Sequence, residues 1–142
     1  MIYVTKSPKE TEELAGFLLN KFLKPNHEKP IVIALEGELG AGKTVFTKGI
    51  AKALKIKTNI KSPTFNLMKH YSAGYRILYH FDCYRLKDHH DLELLGIKEI
   101  LNDPKNIILI EWSDRVKKIL PKEHIKVHID HISSNERKIT IK

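Results

Sequence analysis

With Cys83 as its only cysteine, the chain can form no internal disulfide, and small disulfide-stapled folds are excluded. No stretch approaches the length of apolar run that crosses a bilayer. The N-terminus, with Lys6, Pro8, Lys9 and Glu10, lacks the apolar core of a signal peptide. Internal repeats, low-complexity tracts and a linker long enough to divide the chain are also missing. These absences lead to the expectation of one cytoplasmic domain over residues 1–142, with no membrane contact.

Positive charge is plentiful. Twenty-five Lys and Arg against seventeen Asp and Glu give a formal charge of +8, which favours proximity to polyanions such as RNA without establishing contact. The densest parts, Lys55 to Lys61 and Lys117-Lys118, read as solvated lysine faces.

The strongest local signal is Ile31 to Thr44: an apolar run, a glycine-rich loop, then Lys-Thr at the start of a helical pattern. Gly37, Gly42, Lys43 and Thr44 match GxxxxGK[ST] in the strand-loop-helix setting that pattern requires. A triphosphate concentrates negative charge, and a loop can surround it with backbone N–H groups only where a Cβ does not obstruct the turn. Gly37, Gly40 and Gly42 supply that freedom, with Glu38, Leu39 and Ala41 between them. The helix start adds the amides near Lys43, Thr44 and Val45 and the positive end of its dipole. Lys43 is expected to reach the outer phosphates, and the Thr44 hydroxyl to bind Mg2+.

Ahead of this motif, Ser7-Pro8-Lys9-Glu10 reads as a capping box, and Leu14, Phe17, Leu18 and Phe22 recur as a buried helical stripe. Pro25 to Pro30 breaks the chain, and residues 31–36 suit a strand covered on both faces. Beyond the loop, Phe46, Gly49, Ile50, Ala53 and Leu54 define the sheet-facing side of a helix. Lys57 to Thr64 reads as a loop. Because hydroxyl-bearing loops at this position order around a γ-phosphate and Mg2+, Ser62 or Thr64 is a switch candidate.

Asn66 to Tyr71 and Tyr75 to Asp82 suggest a hairpin, whose second strand runs into His80-Phe81-Asp82-Cys83-Tyr84-Arg85. Alternation places His80, Asp82 and Tyr84 on one face if the strand persists, as the wall of a site or as an edge hydrogen-bond network. Cys83, on the opposite parity, suits the core. Asp88 to Leu101 reads as a helix with Asp88 as cap and Leu92 and Leu95 facing inward, and His89-His90 as a surface pair at its start.

A second apolar run, Asn106 to Ile110, is closed by Glu111. In a P-loop fold an acid at the tip of the neighbouring strand approaches the Mg2+ held by the helix-start hydroxyl, so Glu111 is the candidate second metal residue. Trp112 reads as packing, or as a ring steering a loop beside the site. Ser113 to Leu120 reads as a short helix, and Ile125 to Lys142 as a closing hairpin around Ser133 to Glu136. His124, His128 and His131 are not read as a metal set, since no cysteine accompanies them and His131 has the wrong parity.

Four pieces in order, Gly37 to Thr44, Ser62-Pro63-Thr64-Phe65, His80 to Leu86 and Ile110-Glu111-Trp112, together resemble the TsaE family, small bacterial P-loop ATPases needed to make threonylcarbamoyladenosine in tRNA. The likeness covers nearly the whole chain, including Leu95-Gly96-Ile97. It implies a P-loop NTPase-type α/β three-layer sandwich with a mixed central sheet and antiparallel hairpins. It also implies slow, Mg2+-dependent ATP hydrolysis, with Asp82, Lys43 and Glu111 as the catalytic set. Ser62 to Phe65 carry over as a first switch, and His80 to Arg85, including Tyr84, as a second. Asp82 resembles the essential carboxylate of that motif, whether as base, water positioner or outer-sphere Mg2+ ligand. Ser7 and the turn at Asn135 carry over as base or ribose contacts. The family's role implies a monomer when free that binds the TsaB–TsaD complex, resets it between turnovers by ATP binding or hydrolysis, and has tRNA nearby. The chain departs from the family in having Glu38 where Asp is common, His89-His90 where proline is more usual, and a short tail after the last strand.

Other nucleotide proteins fit less well. A GTPase lacks support because no Asp-x-x-Gly follows the loop, and Asn20-Lys21 precedes it without the guanine-reading Asp. A small-molecule kinase shares the loop and the Mg2+ chemistry but usually carries an arginine-rich lid, and arginine is sparse here. A non-catalytic nucleotide-sensing adaptor needs Lys43 and Thr44 but has no use for Asp82 or Glu111.

Overall fold

A computed structural model of the chain describes residues 1–23, 28–38, 40–60, 67–86 and 89–142. Seven strands form one mixed sheet: β1 (Ile2–Thr5), β2 (Ile31–Glu36), β3 (Met68–Ala73), β4 (Arg76–Asp82), β5 (Asn106–Glu111), β6 (Ile125–His131) and β7 (Arg137–Ile141), in the order β1-β7-β6-β2-β5-β4-β3. The central strands β4, β5, β2 and β6 run parallel, and β3 and β7 flank them as antiparallel hairpin partners.

The unalternating apolar runs explain the layering. In β2, Ile31, Ile33 and Leu35 face one cluster while Val32 faces the other, and in β5 Ile107 and Leu109 oppose Ile108 and Ile110 in the same way. The first face is covered by α1 (Pro8–Phe22) and α2 (Lys43–Ala53), through Ala15, Leu18, Leu19, Phe46 and Ile50. The second is covered by α3 (His90–Leu94), α4 (Ile97–Ile100) and a 3-10 segment, Ser113–Ile119, through Leu92, Ile97 and Val116. Both faces of a parallel sheet are thereby removed from water, as such sheets require.

Several expectations need correction. Of the expected stripe on α1, Leu18 is buried and Leu14 and Phe22 pack against the core, joined on the buried side by Thr11, Ala15 and Leu19, whereas Phe17 is 52% exposed beneath the Lys21 ammonium. Small residues on that side let α2 approach, and the larger ring is turned to the edge of the helix pair. The single helix expected up to Leu101 is broken at Gly96, whose φ of +80° ends the first turn and restarts the second. Its expected cap, Asp88, lies outside the described residues, as do residues 25–27 of the break between Pro25 and Pro30. The short helix expected after Ser113 is present as a 3-10 segment, Ser113–Ile119, with a kink at Val116. The edge strand β1, paired to β7, was not expected at all. Ser7 does cap α1, accepting from the Glu10 N–H at 3.1 Å, while Glu10 reaches back to the Lys6 N–H at 3.2 Å. No helix among the described residues is long and apolar enough to cross a membrane.

Candidate functional site

Parallel pairing brings the ends of β2, β4 and β5 to one edge of the sheet. Asp82 and Glu111 are register partners there, and Leu35 pairs with Glu111 on the other side. The loop that leaves β2 and enters α2 crosses this edge. The result is a cavity of about 310 Å³ lined by Gly40, Gly42, Lys43, Thr44, Val45, Asp82, Glu111, Trp112 and Arg137.

The glycine positions have a steric cause. Gly37 has φ +146°, and a Cβ there would lie 2.5 Å from the Ile129 carbonyl of β6. Gly42 caps α2 with φ +106° and no side-chain cap bond, so the helix amides begin with the first-turn N–H groups directed out of the ladder. The first helical bond is Phe46 N–H to the Gly42 carbonyl at 3.0 Å, and the N–H groups of Lys43, Thr44 and Val45 precede it.

Lys43 is 6% exposed. Its Nζ donates to the carbonyls of Gly37 at 2.6 Å and Glu38 at 2.9 Å and sits 4.2 Å from the centre of the Trp112 ring. Burial pushes the ammonium pKa down, against the opposing pull of Glu111, Asp82 and Asp114. Trp112 itself is left-handed, φ +58°, a strained conformation of the kind found at working sites. Its ring lies 5.0 Å from that of Tyr84.

The acids sit differently from each other. Glu111 is 3% exposed, so it is not a strand-end charge facing water; its Oε2 lies 2.6 Å from His80 Nε2 on the adjacent strand. Asp82 is half-buried, and its Oδ1 accepts from the Tyr84 N–H at 3.1 Å. Cys83 is buried, and desolvation followed by the charges of Asp82, Glu111 and Asp114 pushes its thiol up to about 12.

The expected residues therefore divide. Lys43, Thr44, Val45, Asp82 and Glu111 meet around one cavity with Gly40 and Gly42. Ala41 is buried in the loop, and Glu38 contributes its carbonyl rather than its side chain to Lys43. Asn135 joins Pro8, Thr11, Gly42, Val45 and Arg137 around an adjoining space of about 30 Å³, while the Ser7 hydroxyl is occupied in capping α1. The shared face for His80, Asp82 and Tyr84 does not extend to Tyr84: β4 ends at Asp82, and Tyr84 and Arg85 are exposed in the turn beyond it. Leu39, Ser62 and Thr64 lie outside the described residues. Among the described residues there is no group of three or more His, Cys, Asp or Glu that could hold a metal ion.

Sequence reasoning passed over Arg137 and His131, which bond to loop carbonyls, and Glu36, whose carboxylate meets Lys126 at 3.3 Å and His128 at 3.6 Å. The closing hairpin carried a usable signal, since a strand placed beside β2 must bring its turn next to the loop after β2. Chemically, the cavity offers two sets of groups: the Lys43 cation with the amides at the start of α2, and the Thr44 hydroxyl with the carboxylates at the ends of β4 and β5. The first set suits phosphate oxygens and the second a hard divalent cation.

Over most of its length the chain is similar to proteins of one family. The family model described as "Threonylcarbamoyl adenosine biosynthesis protein TsaE" matches residues 5–139. A Bacillus subtilis (strain 168) protein named tRNA threonylcarbamoyladenosine biosynthesis protein TsaE is 40% identical over 136 residues, 96% of this chain and 81% of the relative. A Haemophilus influenzae protein of the same name is 44% identical over 109 residues, 77% of this chain and 68% of the relative. The crystal structure of Bacillus subtilis YdiB superimposes with a TM-score of 0.77 at 37% identity, covering 99% of this chain and 83% of that one.

Proposed function

The chain belongs to the TsaE family, and from that premise we propose that it is an ATP-binding and ATP-hydrolysing accessory protein of tRNA threonylcarbamoyladenosine modification, acting on the TsaB–TsaD complex in the cytoplasm. The observation that carries this reading is the convergence of Lys43, Thr44, Asp82 and Glu111 on one cavity at the ends of β2, β4 and β5. Crevices at the carboxyl ends of parallel strands are where open α/β sheets bind ligands, and the layering suits a P-loop NTPase-type sandwich.

The residues present fit a Mg2+-nucleotide. A Cβ at Gly37 would collide with β6, so the loop keeps the close turn that a phosphate cradle needs. The amides at the start of α2 hold the phosphates, and Lys43, already aimed across the loop, pairs with the outer ones. Thr44 and Glu111 are the residues that would hold Mg2+, which would supply positive charge against the negative charge developing on the transferred phosphoryl group. Asp82, half-buried on the cavity wall, holds the attacking water and takes up its proton at the carboxylate. Trp112 lines the cavity, and its ring packs against that of Tyr84. Ser62 and Thr64 serve as the loop that reports the γ-phosphate, and His80 to Arg85 as the segment that passes its state to the partner complex.

Hydrolysis assays with and without TsaB–TsaD test this reading. Slow release of phosphate by the chain alone and faster release with the partners is expected. Equal rates in both conditions contradict it.

A further inference from the structure

The carbonyl side of the glycine-rich loop is gripped from the closing hairpin. Arg137, the first residue of β7, donates from Nε to the Ala41 carbonyl at 2.9 Å and from Nη2 to the Gly40 carbonyl at 3.4 Å. Its Nη1 donates to the carbonyls of Ser133 at 2.8 Å, Ser134 at 3.3 Å and Glu136 at 2.9 Å. His131, the last residue of β6, adds an Nε2–H bond to the Gly40 carbonyl at 2.8 Å. Among the described residues, the hydrogen bonds of the Arg137 guanidinium all run to backbone carbonyls, three on the turn and two on the loop.

In a planar trans peptide the C=O and N–H of one unit point in opposite directions. Holding the carbonyls of Gly40 and Ala41 therefore fixes where the N–H groups of Ala41 and Gly42 point; the Ala41 N–H also donates to the Glu38 carbonyl within the loop at 3.0 Å. That constraint matters because Gly40 and Gly42, at φ +77° and +106°, are the positions where the chain is freest to rotate its peptide planes. A loop left to itself would lose that freedom only on binding, at a cost in affinity; a loop braced beforehand would not.

We infer that Arg137 is a positioning residue for phosphate binding, locking the peptide planes of residues 40–42 from the β6–β7 turn through the planar fork of its guanidinium. The inference rests on the proposed reading that this loop holds nucleotide phosphates. A lysine keeps the charge but, as a point donor on a flexible stem, does not span two loop carbonyls and three turn carbonyls together. Fork geometry and simple attraction of phosphate by positive charge are thus separable.

The test is calorimetric titration of ATP into the wild type, Arg137→Lys, Arg137→Gln and His131→Ala, with the Ala41 and Gly42 amide resonances followed by NMR before ATP is added. Both Arg137 variants are expected to lose about tenfold in affinity and His131→Ala about threefold, as for several lost hydrogen bonds and for one. The Ala41 and Gly42 amides should shift or broaden in the Arg137 variants, and the Ala41 amide in His131→Ala. Wild-type affinity in Arg137→Lys overturns the inference, because charge alone then suffices. Unchanged affinity in both Arg137 variants, with only a lower melting temperature, overturns it in favour of a brace for the hairpin. Should the Arg137 variants fail to fold, His131→Ala decides, since His131 is exposed at a strand end: unchanged ATP affinity and an unmoved Ala41 amide overturn the inference. Failure of the wild type to bind ATP instead removes the proposed function on which it rests.

Discussion

His80 Nε2 lies 2.6 Å from Glu111 Oε2, between adjacent strands and with both side chains shut away from solvent. The imidazole holds one carboxyl oxygen inside the sheet, which sets the direction of the group that lines the cavity. Replacing His80 with alanine strands a buried carboxyl, and unfolding in urea should show a loss of about 1–3 kcal/mol. His80→Gln, which keeps a donor, should recover part of that loss.

Lys43 and the only tryptophan of the chain form a built-in reporter. The ammonium now rests on two loop carbonyls, 4.2 Å from the centre of the Trp112 ring. If it turns to phosphate, the environment of the indole changes, so ATP should alter tryptophan fluorescence. Lys43→Met should abolish that response at ATP concentrations that saturate the wild type and weaken calorimetric affinity about 10- to 100-fold, the range for a lost hydrogen bond between charged groups.

Asp82 contributes to turnover more than to binding in the proposed mechanism. Asp82→Asn should keep ATP affinity within about threefold and lower the hydrolysis rate by about a hundredfold or more, as removal of a general base does. Full hydrolysis in that variant removes Asp82 from its role.

Cys83 links the site to stability at alkaline pH. Its folded-state value of about 12 lies above the ordinary 9.0, so the folded chain keeps a proton that the unfolded chain releases. Stability from this group is full below pH 9 and falls as pH rises toward 12. Lys43 acts in the opposite sense: burial lowers its pKa from 10.5, so its contribution improves as pH rises toward that value. Denaturant unfolding from pH 8 to 10.5 should therefore show a steeper alkaline decline in the wild type than in Cys83→Ala. In the native protein at pH 8 the thiol should resist a disulfide reagent until the chain unfolds.

How much of this was legible in the sequence depends on what kind of contact each residue makes. The central strands β2 and β5 were readable because residues 31–35 and 107–110 are apolar on both parities, the mark of a strand buried on both faces. Lys43, Thr44, Asp82 and Glu111 were readable because each sits at a motif position or a strand end. Arg137 was not, since it acts on main-chain carbonyls 96 and 97 residues away, and carbonyls are common to every residue type. Phe17 was misread because helical spacing alone does not tell a large ring from the small Ala15 that close helix packing selects. The four residues of β1 carry too little pattern to declare a strand, and only pairing with β7 makes them one.

Capture of TsaB–TsaD by the tagged chain, in the presence and absence of ATP with Mg2+, tests the central claim most directly. The account predicts retention of the pair with ATP and Mg2+, reduced retention without nucleotide, and loss of the ATP effect in Lys43→Met. Absence of capture under every condition, or capture indifferent to both ATP and Lys43, would contradict it.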